Sequence, residues 1–266
     1  MSEPTRRRGR PRSAKEAVGT VQVLDRALDM LDLLAAHPGL TLSEVAERID
    51  QPPSTVHRLL HAMAARGIVE SDPSTQAWNI GPATFRLGSA FMRRSGIVER
   101  ARPVLQALMR HTGETANLGI LNGDAVLFVS QAETQETIRA FFPPGTRSPL
   151  HASGIGKALL AFGRPEILRA CLEGPGLARF TDKTLTSPDA LMADLARIRS
   201  RGFSFDDEER TTGMRCIAAP VFDLTGEAVA GVSVSGPTSR IGLEHVKTLG
   251  AAVAAAAADL TRAMGG

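Results

Sequence analysis

Apolar residues first recur at helical spacing from Val23 onward. Leu24, Ala27, Leu28, Leu31, Leu34 and Ala35 fit a 3.6-residue repeat, and Pro38-Gly39 stops it. Thr41-Leu42-Ser43-Glu44 has the form of a capping box: the threonine hydroxyl can accept from the Glu44 amide while the Glu44 carboxylate reaches back. The short helix it starts presents Leu42, Val45, Ala46 and Ile49. Asp50-Gln51 makes a turn and Pro52-Pro53 favours a fresh start. The next helix, from Ser54 to about Arg66, carries Val56, Leu59, Leu60 and Met63 on one face, and Gly67 ends it. Two short helices across a tight turn predict a helix-turn-helix. Apolar runs at 68–70 and 77–80 around a polar turn at 72–75 predict a β-hairpin, or wing, behind it.

Residues 82–94 predict a linker helix, and 98–111 a longer amphipathic one. Strands are expected at 115–121, 125–131 and 138–142, the first two joined through Asn122-Gly123, a strong tight-hairpin signal. A helix begins near Gly154. Another covers 188–201 with Leu191, Leu195 and Ile198 inward. Apolar strands at 217–222 and 228–235 flank a turn at 223–227, and an alanine-rich helix closes the chain over 243–264. The fold class is α+β: an N-terminal winged helix-turn-helix, then a domain with an antiparallel sheet flanked by helices. The expected boundaries are a disordered basic arm at 1–20, the winged helix-turn-helix at 21–81, the linker helix at 82–96 and the second domain at 97–266.

Composition agrees with two modest soluble domains: 266 residues, 43% hydrophobic and 22% charged. No apolar run spans a bilayer and no signal-peptide core follows the charged N-terminus, so a cytoplasmic location is expected, with Cys171 and Cys216 as free thiols. The net charge of +3 is unevenly spread. Residues 1–20 carry six Lys/Arg against two Glu, a net of +4, whereas 21–80 carry four basic and eight acidic side chains, a net of −4. The strongest positive field therefore lies on the arm, either as a solvated tail or as a nucleic-acid contact.

The second helix of a helix-turn-helix lies in the major groove and its first residues meet base edges. Those residues are Ser54, Thr55, His57 and Arg58. Arg58 can pair with guanine or phosphate, and the hydroxyls can donate to either. In the arm, Arg8-Gly9-Arg10-Pro11-Arg12 resembles an AT-hook core, whose arginines enter a narrow minor groove. General phosphate attraction is the plainer alternative for Arg8, Arg10 and Arg12. Trp78, the only tryptophan, falls in the wing, where its emission would report DNA contact.

In the second domain, Ser153 before Gly154-Ile155-Gly156 marks a capped helix start, whose free amides and dipole favour an anion. Tight packing of helix on sheet would use the same glycines. Ser233 and Ser235 share one face of a strand and need partners if buried: a ligand or backbone carbonyls. Cys216 fits a small core residue, a weak donor or a nucleophile. Asp206, in the acidic run 206–209, is either a pocket acceptor or part of a solvated turn, and its spacing to Cys216 favours it over Asp207. The run as a hard-metal site is a third option. An enzyme with Cys216 as nucleophile, His151 as base and Asp206 as orienting group is a formal alternative. No phosphate loop, dinucleotide fingerprint or metal motif supports it, and no cofactor is expected.

Four stretches together resemble the IclR family of bacterial transcriptional regulators: Ser54-Thr55-Val56-His57-Arg58-Leu59-Leu60; 149–160, containing His151-Ala152-Ser153-Gly154-Ile155-Gly156-Lys157; 213–221, around Arg215-Cys216-Ile217; and Gly231-Val232-Ser233-Val234-Ser235-Gly236-Pro237. The resemblance implies a GAF-like effector domain, operator DNA as partner, and homodimers, often paired into tetramers. Within the family it points to the glyoxylate-responsive repressors of allantoin use. It implies a pocket of Gly154, Ile155, Asp206, Cys216, Ser233 and Ser235, with glyoxylate as effector. Its carboxylate would meet the amides of 154 and 155, and its aldehyde or hydrate the other four side chains. An aromatic acid is the alternative effector, with Phe141 and Phe142 lining a larger cavity.

Overall fold

The structure, a computed structural model, describes residues 21–174 and 176–265. The proposed arm, with Arg8, Arg10 and Arg12, lies outside them. Two compact units divide between Arg94 and Ser95.

The first unit holds α1 (Gln22–Ala36), β1 (Leu40–Thr41), α2 (Leu42–Arg48), α3 (Pro53–Ala64), β2 (Val69–Ser71), β3 (Ala77–Ile80) and most of α4 (Pro82–Ser95). The capping box is formed as expected: Thr41 N–H donates to the Glu44 carboxylate at 2.8 Å, and Glu44 N–H donates to Thr41 Oγ1 at 3.4 Å. Pro52 and Pro53 set the start of α3. Met30, Leu34, Val45, Val56, Leu60 and Val69 close one core. The wing is the antiparallel pair β2–β3, and β1 adds a third strand beside β3. The Asp72 carboxylate ties the wing's turn by accepting from the amide and hydroxyl of Ser74. Trp78 corrects one expectation. It is only 6% exposed and belongs to the core, so its emission reports the packing of this unit rather than direct contact.

The second unit follows α5 (Ile97–Thr112) with β4 (Thr115–Asn122), β5 (Ala125–Ala132), β6 (Arg147–Pro149), α6 (Gly154–Phe162), α7 (Pro165–Glu173), α8 (Pro188–Arg201), β7 (Ser204–Asp207), β8 (Met214–Phe222), β9 (Ala228–Pro237) and α9 (Val246–Met264). The six strands form one antiparallel sheet in the order β6-β5-β4-β9-β8-β7. Helices α6 and α8 pack together on one face, with Ile155, Leu159, Leu191, Leu195 and Ile198 in the core between. Helices α5 and α9 pack on each other and on the sheet. Strands covered on both faces carry almost continuous apolar runs, as β8 and β9 do.

One sequence expectation fails here, and two others are refined. Residues 138–142 are not a strand: they cross in an irregular segment, and the third strand of that half is the short β6 instead. The acidic run begins as strand β7, because Asp206 pairs across with Cys216 and is buried. The strand expected at 217–222 starts earlier, at Met214, and takes in Cys216.

Two features fix how α6 lies on the sheet. The first is small residues. A methyl group at Gly119 or Gly231 would meet Ile155, and one at Gly156 would drive into the backbone of Leu150. The second is charge. Lys157 is 0% exposed and its ammonium donates to Asp194 of α8 at 2.7 Å, to the Phe205 carbonyl of β7 at 2.7 Å and to Glu209 at 2.6 Å. Burial opposes its charge, but Glu209 and Asp194 outweigh that and hold it above the usual lysine range. Burial pushes the Glu209 carboxyl up to about 7 and that of Asp206 to about 6, against the pull of Lys157 in both cases.

Gly156→Ala is expected to lower Tm by about 5–10 °C, since the obstructing atoms are backbone and cannot rotate away. An unchanged melt would mean that α6 can shift freely. A second expectation follows from linkage. Carboxyls whose folded pKa exceeds the unfolded value bind more protons when folded, so their contribution is complete at low pH and is lost as pH rises through the folded value. Asp194 and Asp207, held low by their cationic partners, act oppositely, losing their contribution as pH falls through their depressed values. Urea unfolding should therefore show stability falling by roughly 1–3 kcal/mol between about pH 5 and 7.5. Glu209→Gln should flatten that slope. A slope of opposite sign would remove this account of the cluster.

Candidate functional site

Two separate surfaces carry the predicted residues. On α3, Ser54, His57 and Arg58 are exposed and Thr55 is half-buried, opposite the inward Val56 and Leu60. Arg58 forms no ion pair among the described residues and is free to take an external anion. The His57 and His61 rings lie 4.2 Å apart between centroids, and His61 meets the edge of Trp78 at 5.4 Å. The recognition helix is thus braced against β3.

The second surface is a cavity in the second unit, where α6 points its N-terminus at the sheet. Ser153 caps the helix: its hydroxyl accepts from Gly156 N–H at 3.1 Å and donates to the Pro149 carbonyl at 3.0 Å. Strand register builds the opposite wall. Asp206, Cys216, Ser235 and Thr115 are successive cross-strand partners through β7, β8, β9 and β4, and the next rung runs Ala218, Ser233, Asn117, Gln131. The cavity is lined by Gly154, Ile155, Asp206, Cys216 and Ser235 together with Phe128, Phe142 and Arg210. Five of the six expected pocket residues therefore converge. Ser233 lies one rung behind them, fully buried beside Asn117.

The cavity is small. Its volume is about 30 Å³, room for a few non-hydrogen atoms. Phe142 and Phe128 stack at 4.9 Å on its margin, whereas Phe141 is 60% exposed and lies outside the lining.

The cavity sets a helix N-terminus against a buried acid. Asp206 accepts a hydrogen bond from Glu209 N–H at 2.8 Å, and burial brings its pKa to about 6. Three of the four carboxylates in the run are held by cations: Glu209 by Lys157, Asp207 by Arg215 at 2.7 Å and Lys183 at 3.1 Å, and Glu208 by Lys183 at 2.5 Å. Arg210 forms no ion pair among the described residues and stacks over the Phe180 ring at 4.2 Å. Burial pushes the Cys216 thiol up to about 11, helped by Asp206 and opposed by the serine hydroxyls and Gly154 N–H. That thiol is a weak donor and not a thiolate nucleophile. His151 is occupied elsewhere, its Nε2 at 2.9 Å from the Ala178 carbonyl, and it does not line the cavity.

Sequence reading missed Lys157, Asn117 and Arg210. The first two had a signal: each is a lone polar residue inside an apolar run, which demands a buried partner. Arg210 had none, because its place depends on the turn after β7.

Comparison with known proteins bears on both surfaces. Residues 23–73 match the IclR helix-turn-helix domain, and 89–262 match the bacterial transcriptional regulator IclR C-terminal domain. The HTH-type transcriptional regulator BhcR of Paracoccus denitrificans is 63% identical over 269 residues, covering 99% of this chain and 96% of that one. The HTH-type transcriptional repressor AllR of Escherichia coli K12 is 36% identical over 262 residues, covering 98% and 97%. Expectation and finding differ on this point: BhcR is much more similar than AllR, so the allantoin repressors are relatives rather than the nearest branch. Among solved structures, an IclR homolog from Microbacterium hydrocarbonoxydans complexed with 4-hydroxybenzoate superposes with a TM-score of 0.79 at 25% identity, covering 91% of this chain and 98% of that one. These relatives are regulators, not enzymes, and no described helix is long and apolar enough to cross a membrane. The chain belongs to the IclR family of bacterial transcriptional regulators: a helix-turn-helix DNA-binding domain followed by an effector domain.

Proposed function

We propose that this regulator senses a small oxo-carboxylate, glyoxylate in the first place, in the cavity at the N-terminus of α6. The observation that carries this reading is the cavity's small size, about 30 Å³, with the few polar groups Asp206, Cys216 and Ser235 facing the start of α6 in an otherwise largely apolar lining. The amides of Gly154 and Ile155 with the helix dipole receive the carboxylate. Ser235, Cys216 and Asp206 hold the remaining oxygen, and Ser233 supports Ser235 from behind. Ser54, Thr55, His57 and Arg58 read the operator, with Arg8, Arg10 and Arg12 of the arm following the adjacent minor groove. The working form is a cytoplasmic homodimer or dimer of dimers, matching the two half-sites of an operator.

The effector changes DNA affinity only if it prefers one arrangement of the paired effector domains. Fluorescence anisotropy of a labelled fragment from upstream of the gene tests this at fixed ionic strength. Glyoxylate is expected to shift the apparent Kd about tenfold or more, and acetate not at all. Tight binding that ignores glyoxylate would sink the effector assignment and leave the regulator intact. A shift with 4-hydroxybenzoate instead would favour the aromatic reading, for which the Phe128–Phe142 stack is the motivating feature. Arg58→Ala, an exposed change, should weaken binding about tenfold with Tm unmoved. Unchanged affinity would take Arg58 out of the interface.

A further inference from the structure

Among the described residues lining the cavity, Asp206 is the only acid, and it is buried. Its neighbours Asp207, Glu208 and Glu209 each pair with a cation, whereas Asp206 forms no ion pair among the described residues and accepts from the Glu209 amide at 2.8 Å. The charged groups around it are committed elsewhere. Lys157 of α6 spends its ammonium on Asp194 of α8, the Phe205 carbonyl and Glu209. Arg215 of β8 is held by Asp207 at 2.7 Å, and Arg210, in the turn after β7, lies over the Phe180 ring at 4.2 Å. Cys216, directly across from Asp206 in β8, carries a neutral thiol.

A cavity of about 30 Å³ leaves a small acid no room to keep its carboxylate away from Asp206. Two carboxylates in one desolvated site do not both stay ionised: one takes a proton. Hydrogen-bond chemistry points the same way. The aldehyde oxygen of an oxo-acid only accepts, and so does an ionised aspartate, so the two meet favourably only when a hydrogen lies between them. We propose that the effector enters this cavity together with one proton, taken from solvent by Asp206, which then donates a hydrogen bond to the effector. The charge of the site is then unchanged on binding, since one negative charge and one positive charge arrive together. Burial has already raised this carboxyl to about 6, against the pull of Lys157, so the proton costs little near neutrality. Capture of the effector is thereby tied to pH, tighter as pH falls and looser as it rises. The proposal rests on the small-carboxylate reading of the cavity.

The test is calorimetry of the full chain with glyoxylate in Hepes and in triethanolamine, two buffers that ionise with different enthalpies, so that the difference in heat counts protons. At about pH 8 wild type should take up about one proton per glyoxylate bound, and Kd should rise about tenfold for each pH unit above about 7. Asp206→Asn keeps the shape and the acceptor for the Glu209 amide, and its own amide donates where the protonated acid would. It should bind with no proton uptake and with a Kd that stays flat over the same range. Wild type that binds glyoxylate with no uptake overturns the proposal and leaves the effector reading standing, with Arg210 or a hydroxyl of the hydrated aldehyde satisfying an ionised Asp206. An Asp206→Asn variant that still takes up a proton also overturns it and moves the titration to Glu209. The wild-type count decides the matter even if the variant fails to fold. Wild type that binds no glyoxylate at any pH overturns the effector reading and this proposal with it.

Discussion

The buried ammonium of Lys157 is the interaction on which the effector domain's organisation turns. A cation with no exposed surface costs several kcal/mol unless it is fully compensated. Its compensation comes from three elements at once: α8 through Asp194, β7 through the Phe205 carbonyl, and the turn after β7 through Glu209. Helix α6, which carries the lysine, also carries Gly154 and Ile155 at its open end. The same short helix therefore supplies one wall of the cavity and anchors the segment that presents Asp206 in the other. Phe205 lies immediately before Asp206, and the Glu209 amide donates to its carboxylate. The position of the pocket acid is thus fixed from both sides by a group that never touches the cavity.

Shape and charge divide the work at that cavity. Shape comes from absences: Gly119, Gly231 and Gly154 leave α6 close enough to the sheet for its amides to face hydroxyls across a gap of a few atoms. Charge is left unresolved. A carboxylate entering beside Asp206 meets like charge, and three compensations are to hand. These are the helix dipole, the Arg210 guanidinium parked on Phe180, and a pocket acid whose pKa of about 6 lets it take a proton at little cost near neutrality. Cys216, with its thiol held high by the same burial, contributes donor character without reactivity.

Local signals made the DNA-binding unit legible in sequence. A capping box, a proline pair, an apolar face and a polar wing turn each fix their own few residues, and each agrees with the others. In the effector domain the long helices and the Asn122-Gly123 hairpin were equally plain. The failures share a cause. Residues 138–142 do not pair in the sheet: Phe142 packs against Phe128 at the cavity margin, while Ile138 and Phe141 are exposed. Arg147–Pro149 pairs with β5 despite a composition that suggests a loop. Asp206 occupies a strand although aspartate disfavours strands, because cross-strand pairing with Cys216 and the neighbouring lysine override propensity. Of the expected pocket, five residues line the cavity and Ser233 stands behind it, since a two-residue spacing fixes a strand face but not how deep each rung lies. Asn117 stood out as a polar residue in an apolar run, but its partners Ser233 and Ser235 are set by the register of β4 against β9, which needs the fold.

The cavity's size also limits what any effector can do. A ligand of glyoxylate's size has about five non-hydrogen atoms, and at a ceiling of about 1.5 kcal/mol each its binding free energy reaches about 7.5 kcal/mol, a Kd of a few micromolar at best. The regulatory shift cannot exceed the part of that energy which differs between the two arrangements of the regulator. A differential of about 3 kcal/mol already moves an equilibrium about 150-fold, so the sensor needs less than half of the available energy to discriminate between states. The remainder suffices for weak, reversible capture, and a pocket this small gains nothing from added apolar surface. What selectivity it has must come from the few polar groups that line it, Asp206, Cys216 and Ser235, rather than from contact area.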